Sequence, residues 1–341
     1  MVNGIIENRA TSRRGFLGFA AGTAAALLAR PAVSFGEPQP LFVAPTGRTK
    51  FQQRLLGPIY SNPCPFTADL RLDDAAQKKA IDRAIAQGIG VFATTAGNTK
   101  YTTLSFDEIR QVNRVMIESV AGRALTIAAT GDWDTPHAVE FAKYAESVGA
   151  DGVQVLNSQQ FRENEDESFN HFKTVAAAVK CPIVLHGKFS DTLLARLVEI
   201  DNVEAMKEDH ALEDYVRQQI DHGKRLVIFG GGGENRFYIG WPYGAQAYYA
   251  TFSTFAPDIA ARVWKIIQNG DIRAAAALTA RYDYPYIRTF THGKWHATLE
   301  LFGLASRQVR PPHKVFTDEQ MAELRHFFVS RGIDPAAYGG K

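Results

Sequence analysis

Val203-Glu204-Ala205-Met206-Lys207 is a short apolar run that closes on an amine. It reads as a buried strand with Lys207 at its carboxyl end. In an eight-stranded α/β barrel that end is where chemistry sits. A lysine placed there can form a Schiff base with a carbonyl substrate. The remainder of the chain decides whether such a barrel surrounds it.

Seven further runs of the same kind flank this one: Leu55–Ser61, Gly90–Thr95, Ala124–Thr130, Gly152–Leu156, Pro182–His186, Arg225–Gly230 and Gln246–Thr251. Most are near-continuous apolar stretches, as parallel strands covered on both faces require. Amphipathic segments separate them. Asp73–Gln87 opens on two acids and puts Ala80, Ile81, Ala84 and Ile85 on one face. Ser105 with Glu108 three residues on makes a capping box, and Thr135–Val148 and Glu167–Val179 carry similar stripes. Eight strand–helix repeats predict a closed (β/α)8 TIM barrel of class α/β. A doubly wound open sheet is the alternative, and it lacks a Gly-x-Gly-x-x-Gly turn after strand one. From Pro257 the pattern is wholly helical, over Pro257–Asn269, Ile272–Tyr284, Gly293–Leu304 and Thr317–Val329. The expected division is a barrel over 50–269 and a C-terminal helical extension over 270–341.

The 341 residues carry 38 Lys and Arg against 36 Asp and Glu, a formal charge of +2. That balance, without a basic stretch interleaved with aromatics, predicts no nucleic-acid partner. Thr11-Ser12-Arg13-Arg14-Gly15-Phe16-Leu17 precedes an Ala-rich apolar run from Phe19 to Ala29, then Arg30-Pro31-Ala32-Val33-Ser34. These are the charged, apolar and small-residue regions of a twin-arginine-type export signal over 1–34. The run is shorter than the ~20 residues of a membrane span. A periplasmic or secreted protein that meets the membrane only transiently, during export, is expected; an uncleaved anchor or a chance amphiphile is the alternative. Cys64 follows strand one at the top of a barrel and Cys181 starts strand five at the bottom, too far apart to bridge, so two free thiols are expected.

Strand ends select the candidate site. Strand two ends in Thr94-Thr95 before Ala96-Gly97-Asn98, strand five in His186-Gly187, and strand six in Lys207-Glu208-Asp209. Strand seven runs into Gly230-Gly231-Gly232-Gly233-Glu234-Asn235. Hydroxyls and turn N–H groups of this kind can hold a carboxylate, while the amine attacks a ketone. Lys207 must first lose a proton, since at an ordinary pKa near 10.4 roughly one amine in two thousand is neutral at pH 7; burial lowers that pKa. Two roles are open for it, nucleophile or rim partner of Glu208 or Asp209. His186 is either a proton shuttle or a packed, hydrogen-bonded ring. The glycine run reads as a tight turn giving a substrate room, with a phosphate cradle as the alternative. The His292, His296, Glu300 spacing suits zinc, but Gly293 between the histidines weakens it; no metal and no cofactor is expected. The candidate catalytic residues are Lys207, His186 and Thr95, and the candidate substrate-binding residues are Thr94, Thr95, Gly97 and Glu234.

With these residues in view, the chain resembles the dihydrodipicolinate synthase and N-acetylneuraminate lyase family over roughly residues 52–330. The pieces are Cys64-Pro65-Phe66 with Leu72-Asp73, Thr94-Thr95 with Leu104-Ser105, Thr135 leading to Ala145–Asp151, His171-Phe172, Asn202–Glu208 and Arg310-Pro311-Pro312. Their order and spacing carry the resemblance. It implies a barrel with C-terminal helices, assembly as a homodimer or homotetramer, and a small-molecule 2-oxo acid as substrate. It also implies that Lys207 is the Schiff-base lysine and that Thr94 and Thr95 bind carboxylate and relay protons. Departures are clear. The family's strand-five tyrosine, within Tyr-Asn-x-Pro, is replaced by His186-Gly187-Lys188-Phe189, and its Pro-Tyr-Tyr after strand four by Ser158-Gln159-Gln160. The Gly-Thr-Thr-Gly-Glu turn has become Ala93-Thr94-Thr95-Ala96-Gly97. The loop after strand five is shortened, in a region where synthases often place a substrate-binding arginine. The electrophile site is kept and the proton-transfer groups are rebuilt.

The leading expectation is therefore an exported Schiff-base lyase, aldolase or dehydratase, acting on pyruvate-type 2-oxo acids or keto-deoxy sugar acids, with His186 standing in for the tyrosine. The competing expectation is a catalytically inactive periplasmic binder of a small 2-oxo acid or sugar acid.

Overall fold

Eight short strands carry the fold: β1 (Gly57–Ser61), β2 (Val91–Ala93), β3 (Leu125–Ala129), β4 (Gly152–Leu156), β5 (Ile183–Gly187), β6 (Val203–Glu208), β7 (Val227–Gly230) and β8 (Ala247–Tyr249). Every paired neighbour is parallel, in the order β7-β6-β5-β4-β3-β2-β1-β8. β8 returns beside β7, leaving a nearly closed (β/α)8 TIM barrel. All eight sequence-based strands are present; five are two or three residues shorter, β4 is unchanged, β5 is shifted by one and β6 is longer by one. This computed structural model describes residues 47–231, 233–290 and 293–340. The export signal expected over 1–34 lies outside the described residues, as does His292.

Strand parity divides the core in two. Ile59, Val91, Ala93, Ile127, Val184, Ala205, Phe229 and Tyr249 point into the barrel and pack on one another. Tyr60, Phe92, Ala128, Val153, Val155, Leu185, Met206 and Tyr248 point outward under the helices. Successive residues alternate faces, and here both faces are apolar. The short helix Lys50–Arg54 plugs the amino-terminal end of the barrel with Phe51. Gln52 donates to the carbonyls of Glu204 and Arg225 there.

The outer helices start where local chemistry allows. Asp73 accepts from the Ala76 N–H and caps Asp74–Ala86. Ser105 and Glu108 form the expected capping box on Phe106–Val120, and Asp134 caps Thr135–Ser147 with Pro136 in its first turn. Each such cap is worth ~1 kcal/mol. Beyond Pro257–Gln268, the helices Ile272–Arg281, Asp283–Thr289, Lys294–Leu301 and Asp318–Val329 form the extension. The expected helix Ile272–Tyr284 is broken near Tyr282, where a second short helix begins. Arg310 ties the extension to the barrel through both oxygens of Glu108 and the carbonyls of Leu70 and Thr103. No helix among the described residues is long and apolar enough to cross a membrane. Cys64 and Cys181 are both free thiols, as expected.

Candidate active site

The carboxyl ends of the strands open into a cavity of about 590 Å³. Inward parity delivers its polar floor: Ser61 from β1, Thr95 two residues past Ala93, His186 from β5, Lys207 from β6 and Tyr249 from β8. Gly97 and Asn98 line it from the turn after β2. Asn98 donates to the Ser61 hydroxyl at 2.8 Å, and the Thr95 hydroxyl accepts from the Asn98 N–H at 3.2 Å.

Lys207 Nζ stands 2.8 Å from His186 Nε2 and 2.9 and 3.0 Å from the two oxygens of Asp209. His186 Nε2 is also 3.0 Å from Asp209 Oδ2. On the other side of the ring, Nδ1 is 3.2 Å from the Gln154 amide nitrogen, and Tyr249 donates to Gln154 Oε1 at 3.3 Å. With Gln154 Oε1 accepting from Tyr249, its NH2 donates to Nδ1, which puts the ring proton on Nε2. A neutral lysine amine has one lone pair and two N–H bonds. In that form its lone pair accepts from His186 Nε2–H and its two hydrogens go to Asp209; an ammonium meets the same three contacts with its three N–H bonds when the ring tautomer and the Gln154 amide are reversed.

Burial lowers the pKa of Lys207, against the opposing pull of Asp209. Burial likewise lowers that of His186, with the Asp209 hydrogen bond raising it and the charge of Lys207 lowering it. Burial pushes Asp209 up, but the hydrogen bond from His186 and the charge of Lys207 outweigh this and hold it well below the usual carboxylate range. The three directions are compatible because Asp209 is the more exposed partner, at 34% against 12% for the Lys207 side chain. Asp209 is held ionised, and burial works against the charge on Lys207. Lys207 is paired with Asp209, the rim partner open to it in the sequence, and it also faces the cavity. Glu208 is not its partner. It is fully buried and turned to Arg236 at 2.5 Å and to the backbone N–H of His210.

The glycine run makes room for this group. A Cβ on Gly231 would lie 2.5 Å from Asp209 Oδ1 and 3.0 Å from Lys207 Nζ, and one on Gly230 would lie 2.6 Å from Arg236 Cδ. Side chains at Gly230 and Gly231 would collide with these groups, which suits the tight-turn reading.

The structure thus brings Lys207, His186, Thr95 and Gly97 to one cavity. Thr94 and Glu234 do not line it, which corrects their expected role in substrate binding. Thr94 has outward parity with Phe92. Its hydroxyl donates to Asn113 Oδ1 at 2.7 Å and accepts from the Ala129 N–H at 2.8 Å, so it braces β2 against β3. Glu234 begins the helix Glu234–Gly240 and is buried against Asp283. His296, from the possible zinc spacing, is fully buried with Nε2 donating to the Cys64 carbonyl at 2.8 Å. Among the described residues no His, Cys, Asp and Glu group is arranged to hold a metal.

Glu234 and Asp283 give a stability prediction. Burial, then the neighbouring Asp283 carboxylate, raises the pKa of Glu234; burial also raises that of Asp283. The folded pair keeps a proton that the unfolded chain releases above the ordinary carboxylate range. Its contribution is therefore full at low pH and is lost as pH rises towards the folded pKa. Glu234→Gln mimics the protonated form. Its melting temperature should exceed that of the parent increasingly from pH 5 to pH 8, by an amount worth about 1 kcal/mol at the upper end. A melting difference that does not vary with pH would refute the shared proton.

Gln154, Asp209 and Tyr249 are site residues that the sequence-based candidates omit. A signal for the first exists, since Gln154 is the one polar residue within Gly152–Leu156.

Comparison with known proteins follows the same line. A model of the "Dihydrodipicolinate synthetase family" matches residues 54–329. A 4-hydroxy-tetrahydrodipicolinate synthase of Methanopyrus kandleri is 26% identical over 283 residues, covering 80% of this chain and 94% of the relative. A protein of Bradyrhizobium diazoefficiens named "Probable 5-dehydro-4-deoxyglucarate dehydratase" is 26% identical over 275 residues, covering 76% and 87%. The crystal structure of dihydrodipicolinate synthase from Bacillus clausii superposes with a TM-score of 0.74 at 21% identity, covering 82% of this chain and 99% of that one.

Proposed function

The chain belongs to the dihydrodipicolinate synthetase family, and from that premise we propose that it is a Schiff-base lyase of 2-oxo acids with Lys207 as nucleophile. The observation that carries the reading is a buried lysine amine at the carboxyl end of the barrel, which lines the cavity and is held by His186 and Asp209. Relatives named as a synthase and a dehydratase support lyase chemistry.

In this reading the substrate carboxylate sits on the Thr95 hydroxyl and the Gly97–Asn98 turn, which line the same cavity as the amine. Lys207 attacks the C2 ketone and the oxygen leaves as water, giving an imine whose nitrogen draws electrons from C3. His186, 2.8 Å from Nζ, is placed to carry the protons. Loss of a C3 proton followed by a C4 hydroxyl is dehydration; breaking C3–C4 is aldol cleavage. Either reaction uses the same amine and the same shuttle. The twin-arginine-type segment extends the proposal to an exported protein, and the resemblance to one that assembles as a dimer or tetramer.

Borohydride reduction in the presence of pyruvate tests the reading. A single reduced adduct mapping to Lys207 is expected. Folded protein that yields no adduct with pyruvate or other 2-oxo acids would overturn it.

Asp209 supplies a pH test. Its charge and hydrogen bonds favour the protonated amine and so oppose the lowering by burial. Asp209→Asn removes that opposition, and the acid limb of the pH profile for imine formation should move to lower pH. The plateau should fall by up to about 10²-fold, because the amine and the ring lose their common anchor and their aim. An acid limb that stays in place would remove Asp209 from the amine's proton equilibrium.

A further inference from the structure

The cavity has two poles. Its floor holds the amine, the imidazole and the hydroxyls described above. The opposite wall comes from the C-terminal extension, through Ile287, Phe290, Lys294 and Trp295. Phe290 and Trp295 are only half-buried, although each is fixed from behind. Phe290 packs edge-on against Phe327 with ring centres 5.4 Å apart, and Trp295 against Tyr286 at 5.7 Å. Rings held this way present a rigid apolar surface to the cavity.

The Lys294 amine and two hydroxyls beside this wall are already engaged. Lys294 has three N–H donors, and all three go to carbonyls at the end of Asp283–Thr289: Tyr286 at 3.1 Å, Ile287 at 2.7 Å and Phe290 at 3.1 Å. The Thr254 hydroxyl donates to the Ser61 carbonyl at 3.3 Å, and Thr251 is bonded to Asp283. A chain of hydroxyls laid along the wall would leave water for Ile287, Phe290 and the ring face of Trp295, with the three donors of Lys294 already spent. Buried hydroxyls without partners are costly, whereas a flat apolar group gains by the same transfer. A cavity of about 590 Å³ has room for both a 2-oxo acid head and such a group.

We propose that the substrate is a 2-oxo acid whose tail is apolar and planar, an aryl or conjugated chain, seated on Ile287, Phe290 and Trp295. This rests on the Schiff-base reading for the head of the molecule, and it departs from a polyhydroxylated sugar-acid tail.

Two measurements on the full chain separate the tail from the head. In the first, 2-oxo-4-phenylbutanoate and 2-keto-3-deoxygluconate are compared for the concentration giving half-maximal borohydride-trapped adduct. The aryl compound should need at least about 10²-fold less, since burying hydroxyls in an apolar pocket discriminates on that scale. In Phe290→Ala the ratio should shrink about tenfold or more. Equal or reversed preference overturns the proposal while the pyruvate adduct leaves the Schiff-base reading standing. In the second, calorimetry uses 4-phenylbutanoate, which has the tail but no ketone to form an imine. Binding is expected, weakened in Phe290→Ala and in Trp295→Leu. Absence of binding to the parent protein overturns the proposal, whatever the trapping shows. Should a variant fail to fold, the two comparisons on the parent protein decide alone.

Discussion

Lys207→Ala should yield no reduced adduct with any 2-oxo acid and should lose turnover by about 10⁴-fold or more, as the removal of a covalent nucleophile does elsewhere. The effect is expected to be this large because no neighbour can substitute. Lys294 is the other lysine at the cavity. Burial lowers its pKa to about 8, so its basicity alone would not exclude it. Its donors are committed to three carbonyls, however, and it stands at the opposite wall. Peptide mapping of the adduct in the parent protein distinguishes the two amines directly. The variant should still fold, because the lost side chain is partnered by Asp209 and His186 and not by the apolar core. It leaves Asp209 ionised and still bonded to His186 at 3.0 Å. Retained turnover on the native substrate, with melting unchanged, would sink the covalent mechanism. An adduct that persists on Lys294 would relocate it.

What the sequence makes legible here follows from how barrels are buried. Each strand is covered on both faces, so a polar residue at a strand end stands out against an apolar run; Lys207 and His186 are found this way. The same double burial erases the alternation that would say which way each side chain points. Thr94 and Thr95 are identical and adjacent, and only the parity set by Val91 and Ala93 inside the barrel sends one to the cavity and the other to Asn113. Glu234 misleads for a related reason. It follows the glycine run that borders the cavity, but helix Glu234–Gly240 starts there and directs its carboxyl towards Asp283. Tyr249 sits in an aromatic-rich strand with nothing local to mark it. The apolar wall of Ile287, Phe290 and Trp295 carries no chemical signal at all, since its relation to Lys207 is wholly tertiary. Fold class and candidate nucleophile are thus local properties of this chain, and the proposed tail site is not.

The replacement of the family's strand-five tyrosine by His186 leads to the second large effect. His186→Gln keeps a hydrogen-bonding side chain between Gln154 and Asp209 but cannot carry a proton. General acid–base help of this kind is worth 10²–10⁴-fold, so turnover should fall by about that factor. The trapped pyruvate adduct should still form on Lys207 and reach the same final yield, because the nucleophile and the carboxylate anchor are intact. The two readouts part company only if His186 moves protons after the imine is made. Burial keeps the ring neutral at pH 7, with a pKa below its usual value. The parent should therefore lose turnover as pH falls and the ring charges, and the glutamine variant should lack that limb. If adduct formation collapses together with turnover, His186 serves to hold Lys207 deprotonated and does nothing later. If neither changes, the shuttle lies elsewhere, and Tyr249, which reaches the same ring through Gln154, becomes the residue to replace. Burial raises its hydroxyl pKa far above neutrality, so it stays protonated and would act by relaying a proton through its hydrogen bond.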